Sequence, residues 1–264
     1  MKKYLVIGNP INHSLSPKLH NYWIEFYKIN ALYEKKKLNV TDLKNLITQI
    51  RKKVVSGVNV TVPFKKEVIK FLDKLSPEAE ITQSVNTIIL DKDKVIGHNT
   101  DIQGFESGIM DTKFEVQNKK IFILGSGGVV PSIIFALKKM KVSNIIIANR
   151  TKEKAESLKS LFKDLIVVDW GEVPDFDMII NATSIGLDHE DKINLDFSKI
   201  GNNKFFYDLI YNPKETSFLK LAKNLGHKIE NGKKMFIYQA AYAFKLWHKI
   251  EPTINNDTDK ILEE

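Results

Sequence analysis

The sequence predicts an α/β fold in two lobes, the second a doubly wound parallel sheet of the Rossmann type. Three observations lead there. From Ile121 onward, short apolar runs of strand character alternate with amphipathic helical stretches, the order that builds an open parallel sheet with helices on both faces. A glycine-rich turn, Gly125-Ser126-Gly127-Gly128, joins the first of those runs to the first of those helices. The N-terminal stretch also alternates strand and helix patterns, but it ends on a hairpin around Asp91-Lys92-Asp93, a different construction.

In chain order, Tyr4–Gly8 reads as a strand. Leu19, Tyr22, Trp23, Phe26 and Tyr27 recur at helical spacing, so residues 17–28 read as a helix with Pro17 in its first turn. Ala31–Leu38 is a strand. Thr41 caps a helix carrying Leu43, Leu46, Ile47 and Ile50. Val58–Val62 is a β-branched strand stopped by Pro63, and Phe64–Leu72 is helical. Asn86–Leu90 and Lys94–His98 form the hairpin. A helix starts near Asp101, and the boundary is set near Gly104: a first lobe of residues 1–103 and a second of 104–232, coupled by a helical linker across a cleft.

In the second lobe, strands are expected at Ile121–Leu124, Asn144–Asn149, Leu165–Val168, Met178–Asn181, Lys204–Leu209 and His227–Ile229. Helices follow the glycine turn and cover Lys152–Phe162 and Glu215–Asn224. Met235, Ala240, Ala243, Phe244, Trp247 and Ile250 stripe a long helix over 233–250. The tail from Pro252 is expected to be partly loose.

Composition excludes several classes. The chain has 264 residues, 43% of them hydrophobic, enough to build real cores. It has no cysteine, which removes disulfides, thiolate metal sites and cysteine nucleophiles, and its six histidines show no metal-ligand spacing. No metal is expected. No stretch reaches membrane-span length, and the apolar run after Met1-Lys2-Lys3 stops at Gly8-Asn9-Pro10, so it reads as a strand of a cytoplasmic protein and not as a signal peptide. The net charge of +8 reads as a lysine-rich surface and not as a nucleic-acid face, since no basic cluster with aromatics is evident. All but two of the 40 basic residues are lysine; the exceptions are Arg51 and Arg150. A chain that so rarely uses arginine keeps it for tasks that need a planar, forked donor.

The glycine turn is placed to receive a dinucleotide. Glycines let the backbone approach the pyrophosphate, and a helix N-terminus favours its charge. The third glycine of the usual pattern is replaced by Val130, between Val129 and Pro131. The end of the next strand selects the cofactor. Folds that choose NAD place an acid there for the ribose hydroxyl; this chain has Asn149-Arg150-Thr151, then Lys152 and Lys154. An arginine grips a 2′-phosphate with two charge-assisted bonds, so NADP is favoured over NAD.

The first lobe carries polar residues at its strand ends. In Asn12-His13-Ser14-Leu15-Ser16-Pro17, the two hydroxyls can both donate to a carboxylate, or Ser16 can cap the helix beside Pro17. Thr61 and Lys65 follow a strand in Asn59-Val60-Thr61-Val62-Pro63-Phe64-Lys65. Ser84-Val85-Asn86-Thr87 opens the hairpin, and Gly97-His98-Asn99-Thr100-Asp101 closes it. Together with Gly8-Asn9-Pro10, Ile102-Gln103-Gly104, Asn181-Ala182-Thr183-Ser184-Ile185-Gly186-Leu187, Tyr207-Asp208-Leu209-Ile210-Tyr211-Asn212-Pro213 and Gln239-Ala240-Ala241-Tyr242-Ala243-Phe244, these segments closely resemble the shikimate dehydrogenases over nearly the whole chain.

The resemblance implies an N-terminal α/β substrate domain and a Rossmann-type NADP domain, with the segment 233–264 packed back on the first lobe. It implies interconversion of 3-dehydroshikimate and shikimate with NADP(H), in the biosynthesis of chorismate and aromatic amino acids. The partners are small molecules, and the protein is a monomer or homodimer. By the same resemblance Ser14 and Ser16, helped by Tyr211, bind the substrate carboxylate, while Thr61, Asn86, Asp101 and Gln239 bind its hydroxyls. Lys65 and Asp101 form the catalytic pair. Gly125, Ser126, Gly127, Gly128, Val129, Asn149, Arg150, Thr151 and Lys154 contact the cofactor, and Thr183, Leu209 and Gly232 line its nicotinamide end. A quinate/shikimate dehydrogenase using NAD or both cofactors is the alternative.

Overall fold

The structure is a computed structural model that describes residues 1–188 and 191–263. The segments assigned to the second lobe and to the C-terminal region therefore include His189, Glu190 and Glu264, which lie outside the described residues. The chain divides into two compact units, Met1–Gly104 with Ile237–Glu264, and Phe105–Phe236.

The first unit is built on β1 (Lys2–Gly8), α1 (Ser16–Phe26), β2 (Ala31–Lys37), α2 (Leu43–Arg51), β3 (Gly57–Val60), α3 (Phe64–Glu67), β4 (Lys74–Leu75), α4 (Pro77–Thr82), β5 (Thr87–Asp91) and β6 (Lys94–His98). The sheet order is β2-β1-β3-β5-β6-β4. β1 runs parallel to β2 and β3, whereas β5 is antiparallel to β3 and β6. Tyr4–Ile7 are all buried, as a central strand covered on both faces requires. Leu43, Leu46, Ile47 and Ile50 of α2 pack with Leu5, Val58, Val60 and Ile88 in one core.

The structure differs from the sequence-based expectation at five places in this unit. Thr41 does not cap α2: Asn39 caps a 3-10 turn over Val40–Asp42, its N–H bonding Asp42 Oδ2 at 2.8 Å, and α2 follows from that turn. α1 begins at Ser16, so Ser16 is not its cap: Leu15 stands at the N-cap, and its side chain makes no capping bond. The stretch after α3 is a short 3-10 turn over Ile69–Phe71, because a four-residue helix cannot sustain α-geometry so close to the next bend. β4 and α4 were not foreseen; Ser76 caps α4 by accepting from the Ala79 N–H at 3.2 Å. The tail forms a helix, α10 (Asn256–Glu263), which packs against α1 and is not loose.

α5 (Asp101–Asp111) and α9 (Lys233–His248) each cross from one unit to the other. The part of α9 in the first unit lies on the sheet. Trp247 donates to the Ile88 carbonyl at 3.1 Å, and a Cβ at Gly57 would fall 2.3 Å from its indole nitrogen, so β3 needs glycine there.

The second unit holds β7 (Lys120–Leu124), α6 (Val130–Lys139), β8 (Asn144–Ala148), α7 (Lys152–Glu156), β9 (Ile166–Val168), β10 (Met178–Asn181), β11 (Phe205–Asp208), α8 (Ser217–Asn224) and β12 (Lys228–Glu230). All its strand pairs are parallel, in the order β12-β11-β10-β7-β8-β9. That is the doubly wound order, with its switch point between β7 and β10. α7 is shorter than its apolar pattern suggests and continues as a 3-10 turn over Ser157–Ser160. α8 starts at Ser217, where the Thr216 hydroxyl accepts from the Leu219 N–H.

Candidate active site

In the first unit, four of the expected residues join in one cluster. Lys65 sits on α3, fixed behind Pro63, and Asp101 is the first residue of α5, where the positive end of the helix favours a carboxylate. Lys65 Nζ donates to Asp101 Oδ2 at 2.5 Å, and the two residues are only 8% and 5% exposed. Asn86 Nδ2 donates to Asp101 Oδ1 at 2.9 Å and to Gln239 Oε1 at 3.4 Å, which brings in α9. An ammonium, a carboxylate and two amides thus share one small polar site, a set able to pass a proton and to bind hydroxyls.

Ser14 stands on the loop before α1, and Ser16 is the first residue of that helix. The Ser14 hydroxyl oxygen accepts from the Ser16 N–H at 3.3 Å, which serves the start of α1 and leaves the Ser14 proton for another acceptor. Ser16 is 7% exposed. Thr61 follows β3, and its N–H bonds the Ile7 carbonyl, pinning it beside Gly8. Lys35 holds the preceding loop by donating to the Asn12 carbonyl at 2.6 Å. Tyr211 belongs to the second unit, where its ring stacks on Phe236 at 4.5 Å.

Sequence reasoning missed the polar residues behind the cluster. Tyr33, Asn59, Thr87 and Thr100 are all buried and bonded to one another or to Asn86. Asn59 and Thr87 were visible as polar residues in β-strand runs, where a buried polar group must find partners. Tyr33 carried no such signal, since tyrosine is at home in a strand. Burial pushes its hydroxyl well above the usual tyrosine range, with the Ser16 hydroxyl pulling the other way.

In the second unit the glycine turn lies at the switch point. Gly125 has φ +104°, and a Cβ there would fall 2.8 Å from the Ala182 carbonyl oxygen, so no other residue fits. Its N–H bonds the Ala148 carbonyl at 2.8 Å, tying the turn to the end of β8. Gly127 and Gly128 are exposed, with Ser126 and Val129 partly so. Val130 and Pro131 are buried: their bulk enters the core instead of the open side of the turn, which explains how valine replaces the third glycine. Asn149, Arg150, Thr151 and Lys154 follow β8. Asn149 Nδ2 donates to the Thr151 carbonyl at 2.7 Å and shapes this turn. Lys152 is paired with Asp169 at 2.7 Å, whereas among the described residues no ion pair engages Arg150 or Lys154.

Thr183 and Leu209 are held by a buried pair. Asn181 Nδ2 donates to Asp208 at 3.0 Å, and Asn181 Oδ1 accepts both the Thr183 N–H and its hydroxyl. Asp208 is pushed up to about 6 by burial, against the Thr216, Ile210 and Asn181 donors that pull it down. Gly232 is forced: a Cβ would fall 2.1 Å from the Leu209 carbonyl oxygen. These residues fit a dinucleotide, with an exposed glycine turn leading into a helix start and, among the described residues, two cations without an ion pair nearby.

Comparison with known proteins agrees with both halves. Residues 6–88 match the family model for the shikimate dehydrogenase substrate binding domain, and residues 109–195 match that for shikimate / quinate 5-dehydrogenase. A shikimate dehydrogenase (NADP(+)) of Pelagibacter ubique (strain HTCC1062) is 58% identical, with 99% of each chain covered. The crystal structure of shikimate dehydrogenase from Aquifex aeolicus aligns with TM-score 0.91 and 35% identity, covering 100% of this chain and 98% of that one. The enzyme from Thermus thermophilus, in complex with NADP(H) and shikimate, aligns with TM-score 0.90 and 30% identity, covering 100% and 99%. By fold, by matched segments and by identity over its full length, this chain belongs to the shikimate dehydrogenase family.

Proposed function

We propose that the chain catalyses the reversible, NADP-dependent reduction of 3-dehydroshikimate to shikimate. The observation that carries this reading is the buried Lys65–Asp101 pair, bonded through Asn86 to Gln239, in a chain with relatives named for that reaction. Ser14 and Ser16, with Tyr211, bind the carboxylate. Thr61, Asn86, Asp101 and Gln239 bind the hydroxyls. The backbone of Gly125 to Val129 receives the pyrophosphate; Asn149, Arg150, Thr151 and Lys154 receive the 2′-phosphate side; Thr183, Leu209 and Gly232 line the nicotinamide end.

When bound, NADPH supplies the hydride. The protein's part is to manage the charge that builds on the ketone oxygen. The Lys65 ammonium stabilises that oxygen and gives it a proton, and in the reverse direction the amine takes the proton back. Asp101 holds Lys65 through Oδ2 and is itself held by Asn86 through Oδ1, so the donor is positioned before substrate arrives.

The test is direct: shikimate with NADP+, then with NAD+, followed by the appearance of reduced cofactor. Turnover with NADP+ well above NAD+ supports the reading. Turnover with NAD+ alone, or none with either, overturns it.

A further inference from the structure

Behind the Lys65–Asp101 pair runs a directed line of buried hydrogen bonds. The Tyr33 hydroxyl donates to Asn59 Oδ1 at 2.6 Å. Asn59 Nδ2 donates to Thr87 Oγ1 at 3.0 Å and to the Asn86 carbonyl at 3.2 Å. Thr87 Oγ1 donates to Asn86 Oδ1 at 3.0 Å, and Asn86 Nδ2 donates to Asp101 Oδ1 at 2.9 Å. Tyr33, Asn59, Thr87 and Asn86 are all within 6% of complete burial, so water does not compete for these bonds.

Each bond fixes the sense of the next. The phenol proton lands on a carbonyl oxygen, which sets the Asn59 amide one way round. The Asn59 NH2 can only donate, so it occupies a lone pair of Thr87 and sends the single Thr87 proton onward. That proton meets Asn86 Oδ1, which leaves the Asn86 NH2 facing Asp101. The Thr100 N–H reaches the same oxygen at 2.7 Å. A reversed Asn86 would set its oxygen against the carboxylate. The Thr100 hydroxyl also lies 3.2 Å from that oxygen and 3.2 Å from Thr87 Oγ1, so the sense has one main-chain determinant and two side-chain ones. Tyr33 is itself anchored: its ring stacks on His20 at 4.2 Å, and Asn21 brackets its backbone at 2.8 and 2.9 Å.

We propose that Thr87 is a positioning residue for the Lys65–Asp101 pair, acting through Asn86, which it reaches directly and by way of the Thr100 hydroxyl, with Tyr33 and Asn59 directing its hydroxyl proton. This rests on the oxidoreductase reading above and adds to it residues that touch neither end of the reaction.

The experiment measures kcat, and KM for shikimate and for NADP+, in the wild-type chain and in Thr87→Val, Thr87→Ser and Tyr33→Phe. Valine keeps the volume and loses the hydroxyl; serine keeps the hydroxyl and loses a methyl. Packing alone would make serine the worse substitute. The proposal expects the opposite: kcat falls about tenfold or more in Thr87→Val, as for a misplaced reacting group, and serine restores most of it. KM for NADP+ stays near the wild-type value throughout. Tyr33→Phe, which keeps the stacked ring, lowers kcat a few-fold in the same manner. A normal kcat in Thr87→Val, or a serine variant as impaired as valine, overturns the proposal. If the valine variant does not fold, a normal kcat in Tyr33→Phe does the same. A wild-type chain that does not oxidise shikimate with NADP+ instead strikes the functional reading itself.

Discussion

Nζ of Lys65 lies 2.5 Å from Oδ2 of Asp101, with both residues nearly closed to solvent. A buried ion pair of this kind is poor at stabilising a fold, because taking two charges out of water costs about as much as their attraction returns. The pair is better explained by what it can do. Asp101 keeps the ammonium in place from one oxygen and is oriented by Asn86 from the other, so the group proposed above as the proton donor is held in a fixed position.

Arg150 should select the cofactor. It is exposed, and among the described residues no acid engages it, so its fork is available to a 2′-phosphate. Arg150→Ala should weaken NADP+ by about 1.5–3 kcal/mol, the range for bonds to charged groups, and leave NAD+ nearly unchanged. Dissociation constants for both cofactors decide it; equal losses would mean that the residue supports the loop instead.

Shikimate should be preferred to quinate. Quinate carries an added hydroxyl on the carbon that bears the carboxylate, where Ser14 and Ser16 are expected to bind. A hydroxyl admitted there without a partner costs about 1–3 kcal/mol, roughly a 5- to 150-fold loss in kcat/KM. Ser14→Ala and Ser16→Ala should each raise KM for shikimate. Equal kcat/KM for the two acids, or serine variants without effect, would place the carboxylate elsewhere.

Stability should fall on the acid side, for a stated reason. His20 is pushed down to about 3 by burial and the nearby His248, and His248 to about 4 by burial and Lys2. An unfolded histidine titrates near ~6.5. The folded state then binds fewer protons, so this contribution is full above pH ~6.5 and is lost as pH falls towards 4 and then 3. Asp208, raised to about 6, acts oppositely: its contribution is present at low pH and is lost as pH rises through about 6. Among the described residues neither His20 ring nitrogen has a hydrogen-bond partner, so His20→Phe gives up no bond. Thermal melts should show His20→Phe close to wild type at pH 7.5 and more stable at pH 4.5. A wild-type melting temperature that rises between pH 6.5 and 4.5 would contradict the assignment.

The legible parts of the molecule were those written in local pattern. β7, the glycine turn and the strand ending before Arg150 follow from continuous apolar runs broken by glycine and polar residues. The doubly wound order follows from their repetition. The pairing of Lys65 with Asp101 came only through family resemblance, because the two are 36 residues apart and either alone reads as a surface charge. Tyr33 was illegible for a related reason: its hydroxyl reaches Asn59 across 26 residues, and nothing near it in sequence marks it as polar in use. The tail helix α10 is hard to read because its Asn255-Asn256-Asp257 start looks like a turn in a partly loose segment; Asn255 instead accepts from the Asp257 and Thr258 N–H groups and launches the helix.

The central claim is that Lys65 moves the proton at the reacting carbon's oxygen. The most direct test is the turnover of Lys65→Ala with shikimate and NADP+, alongside NADP+ binding measured separately. The account predicts a fall in kcat of at least ~10²-fold, the scale of a lost general acid–base group, with the NADP+ dissociation constant unchanged. Near-normal turnover in that variant would contradict it, leaving the buried Lys65–Asp101 pair without a part in the chemistry.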